Sequence, residues 1–164
     1  MRNYDKVSNW FLKNKPDIVF LAAAKVGGIL ANKNNPTEFL LDNIKIQNNV
    51  IENCWKNQVK RLLFLGSSCI YPKNAHQPIK EEELLSGYLE STNESYALSK
   101  ILGIKLCHAL SEQYNLDAIS LMPTNLYGEG DNYDPLNSHV LASFIRKFSL
   151  AVHNNSKEVV CWGS

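Results

Sequence analysis

No two of the four cysteines, Cys54, Cys69, Cys107 and Cys161, stand at C-x-x-C spacing, so the sequence offers no ordinary zinc site and no metal ligands are assigned. Charge of either sign is not in excess. The formal net charge is +1 over 164 residues, so nothing draws the chain electrostatically to nucleic acid or to anionic lipid. No apolar run approaches the roughly 18 residues of a membrane span. The opening MRNYDKVSNW is too polar for a secretory signal, and the expectation is a cytoplasmic protein with reduced thiols. Glycine is scarce where it would matter most: of the eight, at 27, 28, 66, 87, 103, 128, 130 and 163, no three have the G-x-x-G-x-x-G spacing of a phosphate-cradling turn. Internal repeats, low-complexity tracts and long linkers are also missing.

What remains is the composition of one ordinary soluble domain, 45% hydrophobic and 20% charged, long enough to bury a core. Its pattern is an alternation. The run DIVFLA (17–22) follows Pro16 and reads as a buried parallel strand. From about Thr37 to Trp55, Phe39, Leu40, Ile44, Ile46, Val50, Ile51 and Cys54 recur near helical spacing. RLLFLG (61–66) reads as a second strand, 72–93 as a loop, and about Glu94 to Tyr114 as a long helix. DAISLM (117–122) reads as a third strand and 123–138 as a loop. Residues 138–153 suit a helix and EVVCW (158–162) a fourth strand. Short apolar strands alternating with longer helices predict an α/β fold on a mainly parallel sheet. In such sheets ligands sit at the carboxyl ends of the strands. AAAK, GSSC and PTN each follow a strand, so all three should open onto one edge.

Tyr96 and Lys100 form a Y-x-x-x-K pair, four apart and on one helical face. An ammonium beside the phenol would lower its pKa from about 10 and make Tyr96 a usable acid or base. Ser67, at the end of the preceding strand, would hydrogen-bond the oxygen on which Tyr96 acts. The bland alternatives are an ordinary helix face and serines that cap a turn. The three together suit carbonyl and alcohol chemistry beside a hydride carrier.

Ser67, Tyr96 and Lys100 resemble the triad of the extended short-chain dehydrogenase/reductase family, the NAD(P)-dependent sugar-nucleotide epimerases and dehydratases. LAAAKVGGI (21–29), FLGSSCIYP (64–72), ESYALSK (94–100), MPTNLYG (122–128), NSHV (137–140) and VVCWGS (159–164) carry the likeness over nearly the whole chain. They resemble most the members that epimerise C3 and C5 of a GDP-4-keto-6-deoxy-sugar and then reduce C4 with NADPH. Cys69 and His139 in these settings are much less common in the wider family than the triad.

The resemblance implies a Rossmann-like, three-layer α/β/α fold, one partial NAD(P)-binding domain over 1–164, and NADP(H) as cofactor. It implies that Cys69 removes the proton beside the ketone and that His139 reprotonates the carbon. Tyr96, supported by Lys100 and Ser67, would protonate the C4 oxygen. Ala22, Ala23, Leu65, Gly66, Ser67, Ser68, Pro123, Thr124, Asn125 and Leu126 would line the cofactor, with Tyr96, Lys100 and His139. Lys147 and Trp162 would hold the GDP-sugar, the cation at a diphosphate and the indole on a ring. For Cys69 the structural alternative is a small buried residue, for His139 a satisfied helix-terminal imidazole, for Lys147 a solvated face and for Trp162 a core aromatic.

The same resemblance implies omissions. The family's first three strands with the glycine-rich turn, and its C-terminal substrate-binding part, have no counterpart in this sequence. The expectation is a central fragment, with the strand near 17–22 left at an unpaired edge. Full-length members would form homodimers through the helices at about 37–55 and 94–114. The residues themselves leave NADPH against NADH open. They also leave open another sugar-nucleotide epimerase, dehydratase or reductase, and a non-catalytic relic that only associates with a partner chain.

Overall fold

The computed structural model describes residues 1–135 and 137–161. Three short strands, β1 (Ile18–Leu21), β2 (Arg61–Leu65) and β3 (Ala118–Leu121), form a parallel sheet in the order β1-β2-β3. The long helices α3 (Pro36–Lys56) and α4 (Glu94–Tyr114) make the crossovers between them. Two helices were not foreseen: α1 (Tyr4–Asn14) before β1, and the short α2 (Ile29–Asn34) before α3. In α1, the Asn3 side chain accepts from the Lys6 amide at 2.8 Å and caps the first turn. Val7 and Phe11, four apart, bury one face of that helix in the core. The fifth helix, α5 (Val140–His153), follows the loop after β3.

Register explains which strand residues matter. Val19 pairs with Leu62 and Leu62 with Ala118, while Leu21 pairs with Phe64 and Phe64 with Ser120. Side chains alternate across a strand, so these rows point to one face. There they meet Val50, Ile51 and Cys54 of α3 and Cys107 and Leu110 of α4 in one core cluster. The other face carries Ile18, Phe20, Ile119 and Leu121, all exposed, with Phe20 at 70%. Within the described residues the Rossmann-like arrangement therefore has the sheet and its α3–α4 layer, and α5 buries Ala142 alone.

One expected element, the strand at 158–162, is not found among the described residues. Residues 158–161 are not a strand: they join no ladder, and the Val160 carbonyl accepts from Lys147 Nζ at 2.9 Å. An apolar run becomes a strand only where a neighbouring edge supplies hydrogen bonds, and β3 does not take it. Among the described residues no helix is long and apolar enough to cross a membrane.

Candidate active site

All three strands run in one direction, so the segments after β1, β2 and β3 leave the same sheet edge. They enclose a cleft of about 290 Å³. Its walls include Ala22 and Ala24 after β1, Leu65, Gly66 and Ser67 at β2, and Tyr96 and Lys100 on α4. Pro123, Thr124, Asn125 and Leu126 follow β3, and His139 stands at the start of α5. A larger hollow of about 690 Å³ lies at the opposite end of the sheet, around Trp55, Lys60 and Tyr114, and holds none of the candidate residues.

Gly66 closes the floor. Its amide donates to the Leu121 carbonyl at 2.7 Å, and a Cβ there would stand 3.1 Å from Met122 Sδ and 3.2 Å from that carbonyl. After it the chain makes a 3₁₀ turn, Ser68–Ile70, anchored by fully buried Ile70. The turn brings Cys69 back under Ser67, and the thiol donates to Ser67 Oγ at 3.2 Å. Ser68 is exposed and is not among the residues lining the cleft; nor is Ala23, where Ala24 lines it instead.

Lys100 is 3% exposed. Its Nζ donates to the Leu65 carbonyl at 2.7 Å and lies 5.0 Å from the Phe64 ring centroid and 5.8 Å from that of Tyr96. Burial pulls the Lys100 amine down to about 8, against the opposing influence of Cys69. Tyr96 packs edge-on against Phe39, ring centroids 6.3 Å apart. The expectation that Lys100 lowers the phenol is not met. Burial pushes Tyr96 up to about 12, Cys69 adds to the rise, and only the hydrogen bond with Ser67 opposes it. The physical reason is burial, which penalises the phenolate. Burial likewise raises the Cys69 thiol, although Ser67 and the Lys100 charge pull it back. At neutral pH the cleft thus holds a phenol and a buried ammonium, and Cys69, which is not among its lining residues, is a thiol beside Ser67.

His139 is the N-cap residue of α5, and its imidazole lines the cleft without a hydrogen-bond partner among the described residues. Lys147, near the middle of α5, is outside the cleft lining. Trp162 falls outside the described residues.

Three contributors were missed from sequence. Asn32 on α2 is 7% exposed and lines the cleft; its Nδ2 donates to the Gly27 and Gly28 carbonyls at 2.8 and 3.1 Å, while its Oδ1 has no partner among the described residues. Asn43 on α3 accepts from the Lys25 amide at 2.6 Å and donates to the Lys25 carbonyl at 3.0 Å, tying down the segment after β1. Asp131 also lines the cleft. The signal available for the two asparagines was position: a polar residue at an inward-facing helical site must find a backbone partner.

The lining suits the nicotinamide end of a dinucleotide. Small residues let a flat ring approach the backbone, and the unpartnered Asn32 Oδ1 offers a buried acceptor. The glycines of the described residues provide no phosphate-cradling turn.

A parallel sheet whose carboxyl edge brings a serine after β2 together with a tyrosine and a lysine of α4 is the α/β class of architecture. The model of the NAD dependent epimerase/dehydratase family matches residues 1–164, and the chain belongs to that family. It is 53% identical over 158 residues to the GDP-L-fucose synthase of Escherichia coli (strain K12), a match covering 96% of this chain and 49% of that protein. Among solved structures, it is similar to a GDP-L-fucose synthetase from Naegleria fowleri bound to NADP, with TM-score 0.86, 33% identity, and coverage of 99% of this chain and 53% of that one. It is similar also to a GDP-mannoheptose C4 reductase from Campylobacter jejuni with NADP bound, with TM-score 0.84, 42% identity, and coverage of 92% and 44%. The chain spans about half the length of the curated relatives it matches.

Proposed function

We propose that this chain carries the chemical centre of a GDP-L-fucose synthase, an NADP-dependent oxidoreductase and epimerase. The reaction is 3,5-epimerisation of GDP-4-keto-6-deoxy-D-mannose followed by reduction at C4 to GDP-L-fucose. The observation that carries this reading is that Ser67, Tyr96, Lys100 and His139 line one cleft, with Cys69 hydrogen-bonded to Ser67 beside them. NADP(H), when bound, would supply the hydride for C4. Ala22, Leu65, Gly66, Ser67, Pro123, Thr124, Asn125 and Leu126 would hold its nicotinamide end.

Cys69, in the thiolate form that the Lys100 charge favours against burial, removes the proton beside the ketone and so becomes the thiol, and His139 returns a proton to the carbon. Ser67 and Tyr96 donate hydrogen bonds to the oxygen that becomes anionic, which is what makes the neighbouring C–H acidic enough to lose. In the reduction Tyr96, a phenol at neutral pH, gives its proton to the C4 oxygen. The Lys100 charge then favours the phenolate that remains. Lys147 is assigned to the diphosphate of the substrate and Trp162 to its ring system.

The chain is read as a single partial NAD(P)-binding domain over 1–164. Alone it binds NADPH weakly, because a pyrophosphate finds no glycine turn among the described residues. The complete enzyme is placed in the cytoplasm as a homodimer through α3 and α4, on which Leu41, Leu98 and Leu102 are exposed. A second reading, a GDP-sugar C4 reductase without epimerisation, has the likeness to the heptose reductase in its favour.

The test is a paired assay on a chain completed with the missing halves of the E. coli relative. One arm follows NADPH oxidation with the 4-keto sugar nucleotide; the other follows solvent deuterium entering C3 and C5. The proposal expects both. NADPH oxidation without exchange would establish the second reading instead, and neither activity would overturn both.

A further inference from the structure

Gln47 is a buried amide in the crossing of α3 and α4, 2% exposed. Its Nε2 donates to the Ser99 carbonyl at 2.6 Å. That carbonyl lies in the turn between Tyr96 and Lys100, and Ser99 Oγ donates to the Tyr96 carbonyl, also at 2.6 Å. So α3 grips α4 at the turn that carries both residues. The crossing is close because position 103 is glycine. A Cβ there would meet Phe64 Cζ at 2.5 Å and Gln47 Oε1 at 3.0 Å. Phe64 is the same ring that Lys100 Nζ overlies at 5.0 Å.

We propose that Gln47 is a positioning residue: its amide sets the height of α4 on the sheet, and with it the reach of Lys100 to the Leu65 carbonyl and of Tyr96 to Ser67. The inference rests on reading Tyr96 and Lys100 as the proton-transfer pair. A slip of about half an ångström along the helix is enough to spoil a catalytic contact. An amide that merely fills the crossing would support stability and leave the lysine's surroundings alone.

The titration of Lys100 separates these cases. In the folded chain its amine titrates near 8, with Cys69 and Tyr96 as its titratable neighbours. The midpoint is read by NMR of ¹³Cε-labelled lysine in the 164-residue chain, for wild type, Gln47→Met and Val50→Ala. Methionine keeps the length and loses the donor. Val50, on the same helix and 3% exposed, removes core packing without touching the amide. The expected result is that Gln47→Met raises the Lys100 midpoint by about half a pH unit or more, as the ammonium gains water. Val50→Ala leaves that midpoint at the wild-type value while lowering the urea midpoint. If Gln47→Met lowers the urea midpoint but leaves the Lys100 midpoint unmoved, the inference is wrong. Should the methionine variant not fold, Gln47→Asn, which keeps the amide but shortens its reach, carries the same two outcomes. The titration needs neither cofactor nor substrate, so its failure is distinct from a failure of the proposed activity.

Discussion

On the β2–α4 wall of the cleft, Lys100 is almost fully buried, held by the Leu65 carbonyl and backed by Phe64, and the Gln47 amide of α3 bonds the Ser99 carbonyl next to it. On the β3–α5 wall, Leu126 and Tyr127 are 68% and 71% exposed, and α5 buries Ala142 alone. The first wall holds the groups assigned to reduction and to the thiol; the second holds the imidazole assigned to reprotonation. The difference teaches that the two halves of the chemistry rest on different foundations. One is bound up with the hydrophobic core, so damage there costs fold and chemistry together. The other hangs on a segment with little packing of its own, so changes there should touch chemistry alone.

The contrast can be broken in several places. In the completed enzyme, Tyr96→Phe should lower NADPH oxidation by about 10²–10⁴-fold, the usual worth of a positioned acid, with little change in far-UV circular dichroism. Phe64→Ala should destabilise the chain by about 3–5 kcal/mol in urea unfolding, because Phe64 is 1% exposed and backs Lys100. A smaller effect comes from pH. Lys100 titrates near 8 when folded and at 10.5 ordinarily, so between those values the unfolded chain holds a proton the folded chain has released. Stability should therefore rise with pH from 8 to 9, by at most about 1.4 kcal/mol per unit for one proton. Above 9 the buried thiols reverse the sign. Cys54 and Cys107 move from 9.0 to about 12 and about 11 on folding, so there the folded chain keeps protons the unfolded one loses. Lys100→Met should abolish the rise between 8 and 9. Smallest of all, Leu126→Ala on the exposed wall should stay within about 0.5 kcal/mol of wild type. A loss comparable to that of Phe64→Ala would erase the distinction between the walls.

The legibility of the site follows the same division. β1, β2 and β3 are apolar runs and α3 and α4 carry long amphipathic or apolar patterns, so the sheet order and the edge bearing Ser67, Tyr96 and Lys100 could be read from the residues. The run at 158–162 has the same apolar character, but strand formation depends on an available edge, which no local pattern reveals. In α1 Val7, Trp10 and Phe11 stand at helical spacing, so the sequence did carry a signal for it; of its apolar residues Val7 and Phe11 are buried while Trp10 and Leu12 are exposed. Asn32, Asn43 and Gln47 read as polar positions in helices; only the tertiary crossing shows that their amides serve backbone groups of other segments. The direction of the Tyr96 shift was misjudged for a related reason. Sequence places the lysine on the tyrosine's helical face, but does not show the burial that raises the phenol.

The most direct test of the account is solvent deuterium uptake at C3 and C5 of the 4-keto sugar nucleotide, measured by NMR without NADPH in the completed enzyme carrying Cys69→Ser or His139→Gln. The account predicts that each variant, folded by circular dichroism, loses uptake by about a hundredfold or more. Uptake at the wild-type rate in either would contradict it, because thiol and imidazole would then have no part in moving protons at the sugar.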